Sequence, residues 1–109
     1  MSETFNREAT EKALVGCLIL KPELFEKVNA IIRLGDFRHI GTQTVYAAMI
    51  WMRWNHWKEL GPAGIVAALK MLGNYEYVGG AGYLADLVIM VPHVDHAEYY
   101  ASLLRGVDA

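Results

Sequence analysis

The sequence is short of most of what marks chemistry. It has one cysteine, Cys17, which excludes an internal disulfide and a cysteine-rich zinc site. A lone Cys inside an apolar run is a small core residue. No G-x-x-x-x-G-K-[ST] segment occurs, so no P-loop cradles a nucleotide. Lys and Arg number ten against twelve Asp and Glu, for a net charge of −2. Tight nucleic-acid binding neutralises many phosphates with clustered bases, and here the bases are few and scattered. The chain opens MSETFNRE, without the apolar segment of a secretory signal, and reads as cytoplasmic. The apolar run over residues 45–52 is far below the ~20 residues a bilayer requires. No segment alternates as a strand, and there is no internal repeat or low-complexity linker.

What the sequence has is apolar surface. Hydrophobic residues make up 54% of 109 positions, above the usual range for a soluble domain. A chain of this length folds on one core, and the excess points to an oligomer or partner interface. The stretch at residues 43–57, QTVYAAMIWMRWNHW, is apolar without a break from Val45 to Met52 and has no Gly or Pro. A helix that is apolar all round is buried by its neighbours, so this stretch is expected to be the central helix. Trp51, Trp54 and Trp57 recur at every third position and share one drifting face. Core burial is the expectation for Trp51 and Trp54, while Trp57, beside Lys58 and Glu59, stands between core and a partner-binding surface.

Periodicity places the other helices. Residues 8–20 form helix 1, with Ala13, Leu14, Cys17 and Leu18 inward, and Lys21-Pro22 stops it. Residues 22–34 form helix 2 on the spacing of Leu24, Phe25, Val28, Ile31 and Ile32, with Gly35 as its C-terminal cap. Asp36 caps the next element, Phe37 plugs the core, and Thr42 or a neighbour starts the central helix. Residues 62–72 form helix 4, ended by Gly73-Asn74, and residues 75–78 form a short extended or turn segment. Residues 82–90 form helix 5, broken by Val91-Pro92. Asp95 caps helix 6 over residues 96–105. Residues 1–5 are expected to fray. The fold class is all-α, a compact bundle of about six short helices.

Two motifs tempt. Gly80-Ala81-Gly82-Tyr83-Leu84-Ala85 satisfies the dinucleotide fingerprint G-x-G-x-x-A, but that site needs a βαβ unit, and a helix stands where its second strand belongs. The glycines are read as the turn before helix 5. His93, Asp95 and His96 offer metal-ligand types without a further ligand, and are read as surface residues. No nucleophile, base and acid arrangement is visible, so neither a catalytic residue nor a metal or cofactor site is assigned.

The placed motifs form a recognisable order: EKALVGCLIL (residues 11–20), Asp36-Phe37, VYAAM (45–49), VGGAGYLADL (78–87), Val91-Pro92 and AEYYASLLR (97–105). Together they resemble the N-terminal domain of the bacterial replicative DNA helicase, the DnaB type, over residues 6–105. The resemblance implies an all-helical, non-catalytic head that packs into a ring collar, commonly as a trimer of dimers, and docks the primase. A helicase loader is a further implied partner, DNA only an indirect one, and a membrane none. ATP and magnesium belong to a separate motor domain in that family. In domain terms, residues 6–109 are the head, with the last helix as the start of the family's helical hairpin. The helicase-binding domain of a primase, or a free-standing adaptor of the replisome, is the alternative. The protein-interface candidates are Arg53, Trp57 and Lys58 at the end of the central helix, with Tyr99 and Leu103 on the last. This chain departs from the family in three places. Thr42 replaces a usual His, Glu59-Leu60-Gly61-Pro62 replaces the usual entry to helix 4, and Ala63, Gly64, Ala67 and Ala68 make helix 4 small and apolar.

Overall fold

The computed structural model describes residues 6–91 and 93–106. Among these residues the chain forms seven α-helices and no strand: α1 (Arg7–Leu20), α2 (Phe25–Asn29), α3 (Ile40–Trp54), α4 (Pro62–Met71), α5 (Tyr75–Val78), α6 (Gly80–Ile89) and α7 (Ala97–Arg105). Single 3₁₀ turns at Pro22–Leu24, Leu34–Asp36 and Val94–His96 link them. The fraying expected for residues 1–5 and the helix break expected at Pro92 lie outside the described residues.

The helix enclosed on every side is α1, not the central stretch of the sequence. Asn6 caps it, its side chain accepting from the Ala9 N–H at 3.0 Å. From Ala13 to Ile19 every residue is buried, because α6 and α7 pack along it on two sides while α3 and α4 meet it elsewhere. Gly16 sets the closeness of the α1–α6 crossing: a Cβ there would overlap the Leu87 carbonyl oxygen and lie 2.6 Å from Val91 Cγ2. α3 lies against this core with Val45, Tyr46, Ala48, Met49 and Met52 buried. Tyr46 is packed between Phe25 and Phe37, at ring-centroid distances of 5.2 and 4.8 Å, and donates its hydroxyl to Asn29 Oδ1 at 2.6 Å.

Several expected boundaries move. Helix 2 stops at Asn29, although the inward set it was drawn from holds: Phe25, Val28 and Ile32 are buried and Leu24 and Ile31 half-buried. Arg33 is extended, and the Asp36 carboxylate accepts from its N–H at 2.9 Å. Asp36 therefore caps backwards onto this turn instead of forwards onto α3, and Gly35 sits inside the turn and not after a helix. Phe37 does plug the core, at 2% exposure. His39 is the N-cap of α3, so Thr42 lies in its first turn and not at its start. The segment Tyr75–Val78 is one helical turn, neither extended nor a strand. Asp95 belongs to the turn before α7, which has no side-chain cap.

The largest correction concerns the tryptophans. Trp54 is 80% exposed, the most exposed large hydrophobic side chain among the described residues. Trp51 is half-buried, and so is Trp57, whose ring meets Trp51 edge-on at 5.4 Å. The helix does not continue to Trp57. The N–H of His56 bonds to the Arg53 carbonyl and that of Trp57 to the Met52 carbonyl, at 3.1 and 3.0 Å. This is a Schellman stop, with His56 in the left-handed position usually held by glycine. It is the one non-glycine residue at positive φ among the described residues, at +56°. The reversal folds Trp57 back over Trp51 and leaves Trp54 facing out.

Two substitutions test this helix end. Trp54→Ala is expected to change unfolding free energy by no more than about 0.5 kcal/mol, as for other surface positions; a loss of several kcal/mol in urea titration would mean the ring is covered within the monomer. His56→Gly is expected to stabilise the chain by about 0.5–1 kcal/mol by relieving the left-handed strain. An unchanged or lowered melting temperature would show that His56 makes compensating contacts.

Candidate interaction surfaces

The described residues hold no group of three or more His, Cys, Asp or Glu side chains arranged for a metal ion. The His93 and His96 rings meet at 4.9 Å between centroids, tilted by 51°, and belong to no such group among the described residues. Burial pushes the Cys17 thiol up to about 11, helped by the negative charge of Asp95, so Cys17 is a core residue and a poor nucleophile. Gly79 and Gly80 have φ of +115° and +61° and turn the chain from α5 into α6, while nothing lies within 4 Å of a Cβ built at Gly82. With a helix on either side of those glycines, the phosphate-binding fingerprint has no strand to start from.

The polar centre of the molecule is structural. Glu11 is completely buried and accepts from Arg38 N–H at 2.8 Å, His39 N–H at 3.2 Å and Thr42 Oγ1 at 2.6 Å. These donors belong to the approach and first turn of α3, where backbone N–H groups lack helical partners. The Arg7 guanidinium lies 3.8 Å from the same carboxylate and donates to the Asp36 and Leu104 carbonyls at 2.7 and 3.0 Å. Thr42 thus completes this cradle. Sequence reasoning missed the role of Glu11, though it stands first in the E-K-A-L motif.

The interface candidates fall in two places, the end of α3 with the segment that follows it, and α7. At the end of α3, Arg53 turns inward: its guanidinium lies 3.9 Å from the Phe25 ring centroid, donates to the Pro22 and Met49 carbonyls, and pairs with Glu26 at 3.6 Å. Burial lowers its pKa, against the opposing pull of Glu26. Its contacts are internal, whereas Lys58 is exposed and Trp57 half-covered. On α7, Tyr99 is 60% exposed and Leu103 half-buried. Two features went unread in the sequence: Trp54 itself, and an apolar groove of about 340 Å³ between the end of α1, α4 and α6. Ile19, Leu20, Pro62, Val66, Leu84 and Val88 are among its lining residues. Gly64 draws the start of α4 tight, since a Cβ there would overlap the Glu59 carbonyl. The small residues of α4 noted in the sequence, Ala63, Gly64, Ala67 and Ala68, are not among its lining residues.

Residues 3–106 match the family model of the DnaB-like helicase N terminal domain. The chain belongs to that family. The relatives include a replicative DNA helicase DnaB of Mycobacterium leprae, 30% identical over 94% of this chain, and a replicative DNA helicase DnaC of Bacillus subtilis, 30% identical over 87%. This chain spans 18% and 21% of those proteins. The crystal structure of the N-terminal domain of DnaB helicase from Mycobacterium tuberculosis superposes with a TM-score of 0.84 at 29% identity, over 91% of this chain and 71% of that one. The DnaB-like fold and the non-catalytic helicase domain anticipated from the motifs are therefore in place. No helix among the described residues is long and apolar enough to cross a membrane.

If the Glu11 cradle is what holds α3 to α1, Glu11→Ala should cost about 3–5 kcal/mol, as when one member of a buried polar pair is removed. Urea unfolding of the two proteins measures this. A cost under about 1 kcal/mol would assign the attachment of α3 to its apolar contacts alone.

Proposed function

We propose that this chain is the collar head of a replicative DNA helicase, associating with copies of itself and docking the primase during DNA replication in the cytoplasm. The observation that carries the reading is exposed apolar surface on a member of this family: Trp54, Tyr77, Ile89 and Tyr99 are all at least 60% exposed. Side chains of this kind anchor protein interfaces. The hydrolysis of ATP with magnesium, and the grip on DNA, fall to a motor domain in this scheme. A helicase loader would meet the same head.

The primase is assigned to the outer face of α7, where Tyr99 stands out beside Leu103. The test is retention of purified primase on the immobilised chain, with Leu103→Glu and Tyr99→Ala as variants. The wild type is expected to retain primase and the double variant to lose most of it while keeping its helical spectrum. No retention by the wild type overturns the docking role. Retention of the helicase head of another molecule in place of primase turns the reading to a free-standing adaptor.

A further inference from the structure

The outer face of α7 carries a stripe of ring and charge. Ala97, Ala101 and Leu104 are buried against the core, which leaves Glu98 and Tyr99 facing outward, both exposed. The Val94–His96 turn runs straight into α7 at Ala97. Asp95 therefore precedes Glu98 by three residues and Tyr99 by four, and Leu103 follows Tyr99 by four. Side chains at these spacings are neighbours on a helical surface. The His96 ring meets Tyr99 at 6.5 Å and Tyr100 at 6.3 Å between centroids, and the two tyrosines are 6.1 Å apart. These contacts brace a tyrosine that is still 60% exposed.

Charge selects what this ring receives. Between residues 71 and 104 the chain has no Lys or Arg. Among the described residues Asp95 and Glu98 enter no ion pair. The bases at the far end of α7 are engaged elsewhere: Arg105 pairs with Asp36 at 3.5 Å, and Arg7 donates to the Asp36 and Leu104 carbonyls. A helix N-terminus favours acids by itself. That accounts for two carboxylates here, but not for an exposed tyrosine set between them and Leu103. An aromatic face beside two carboxylates suits a guanidinium, which stacks flat on the ring and keeps its N–H fork for the acids. An ammonium is a compact point charge and has no such plane to stack.

We propose that this stripe receives an arginine side chain of the docking partner, its guanidinium over the Tyr99 ring and paired with Asp95 and Glu98, while apolar residues next to that arginine cover Leu103. The proposal rests on the reading that the primase docks on the outer face of α7. It adds what the partner must bring, an arginine within an apolar segment.

The experiment is the affinity of the full chain for purified primase by biolayer interferometry, with circular dichroism on every variant. The double variant Asp95→Asn, Glu98→Gln removes the charge at constant shape and should weaken binding about 5-fold; Tyr99→Leu, which keeps apolar surface without a π face, should do about the same. Tyr99→Phe keeps the ring and should bind as the wild type does. Raising NaCl from about 50 to about 300 mM should weaken the wild type more than the double variant, because screening acts on a pair that the variant lacks. A double variant that binds like the wild type, or Tyr99→Phe as weak as Tyr99→Leu, overturns the arginine contact and leaves the docking reading standing. No binding of primase by the wild type overturns that reading, and this contact with it.

Discussion

A carboxylate with no access to water governs how the two main helices meet. Glu11 stands on the first half of α1, fully buried, and a buried charge is tolerated only when its hydrogen bonds are made. It makes them with the donors at the start of α3, which a helix leaves open. Each side thereby removes the other's desolvation cost. Arg7 extends the same knot to the Asp36 turn and to the last turn of α7. Residues up to 97 positions apart are thus held by one polar node, and the apolar packing of Phe25, Phe37 and Tyr46 closes beside it.

At the other end of α1 the constraint is steric. Gly16 lets the α6 backbone at Leu87 come directly against the α1 backbone, and Gly64 lets α4 start against the Glu59 backbone. Once α4 and α6 are drawn against α1, small side chains such as Ala81 and Ala85 cannot fill the space between them. The groove is the consequence. On the α4 side the groove wall is formed by Pro62, Ile65 and Val66.

The tryptophans show how one backbone reversal changes an interface. A helix continued through residue 57 would have set three indoles in a row. His56 in the left-handed conformation ends the helix instead, pairs Trp57 with Trp51 and isolates Trp54. One indole is offered outward on an anchored stem, because the adjacent Arg53 is fastened to Pro22, Glu26 and Phe25. A rigid, exposed aromatic loses little entropy when it is covered, and such residues dominate binding energies.

The sequence alone determined the helical class, the limits of α1 and α4 and the inward sets of most helices, because 3.6-residue periodicity and Pro or Gly stops are local properties. It determined the family as well, through motifs whose order and spacing survive in any member. It also placed Phe37 in the core and made the glycines before α6 a turn. What only the tertiary structure decided depends on contacts between distant residues. The true extent of α2 is set by the Asp36 turn and the Asn29–Tyr46 bond, which periodicity does not register. The burial of Glu11 requires α3 to arrive. The exposure of Trp54 depends on a helix stop without a glycine to announce it, and on no element among the described residues packing over that face. Local propensity writes the elements; which of their faces remain uncovered is settled only when all of them have packed.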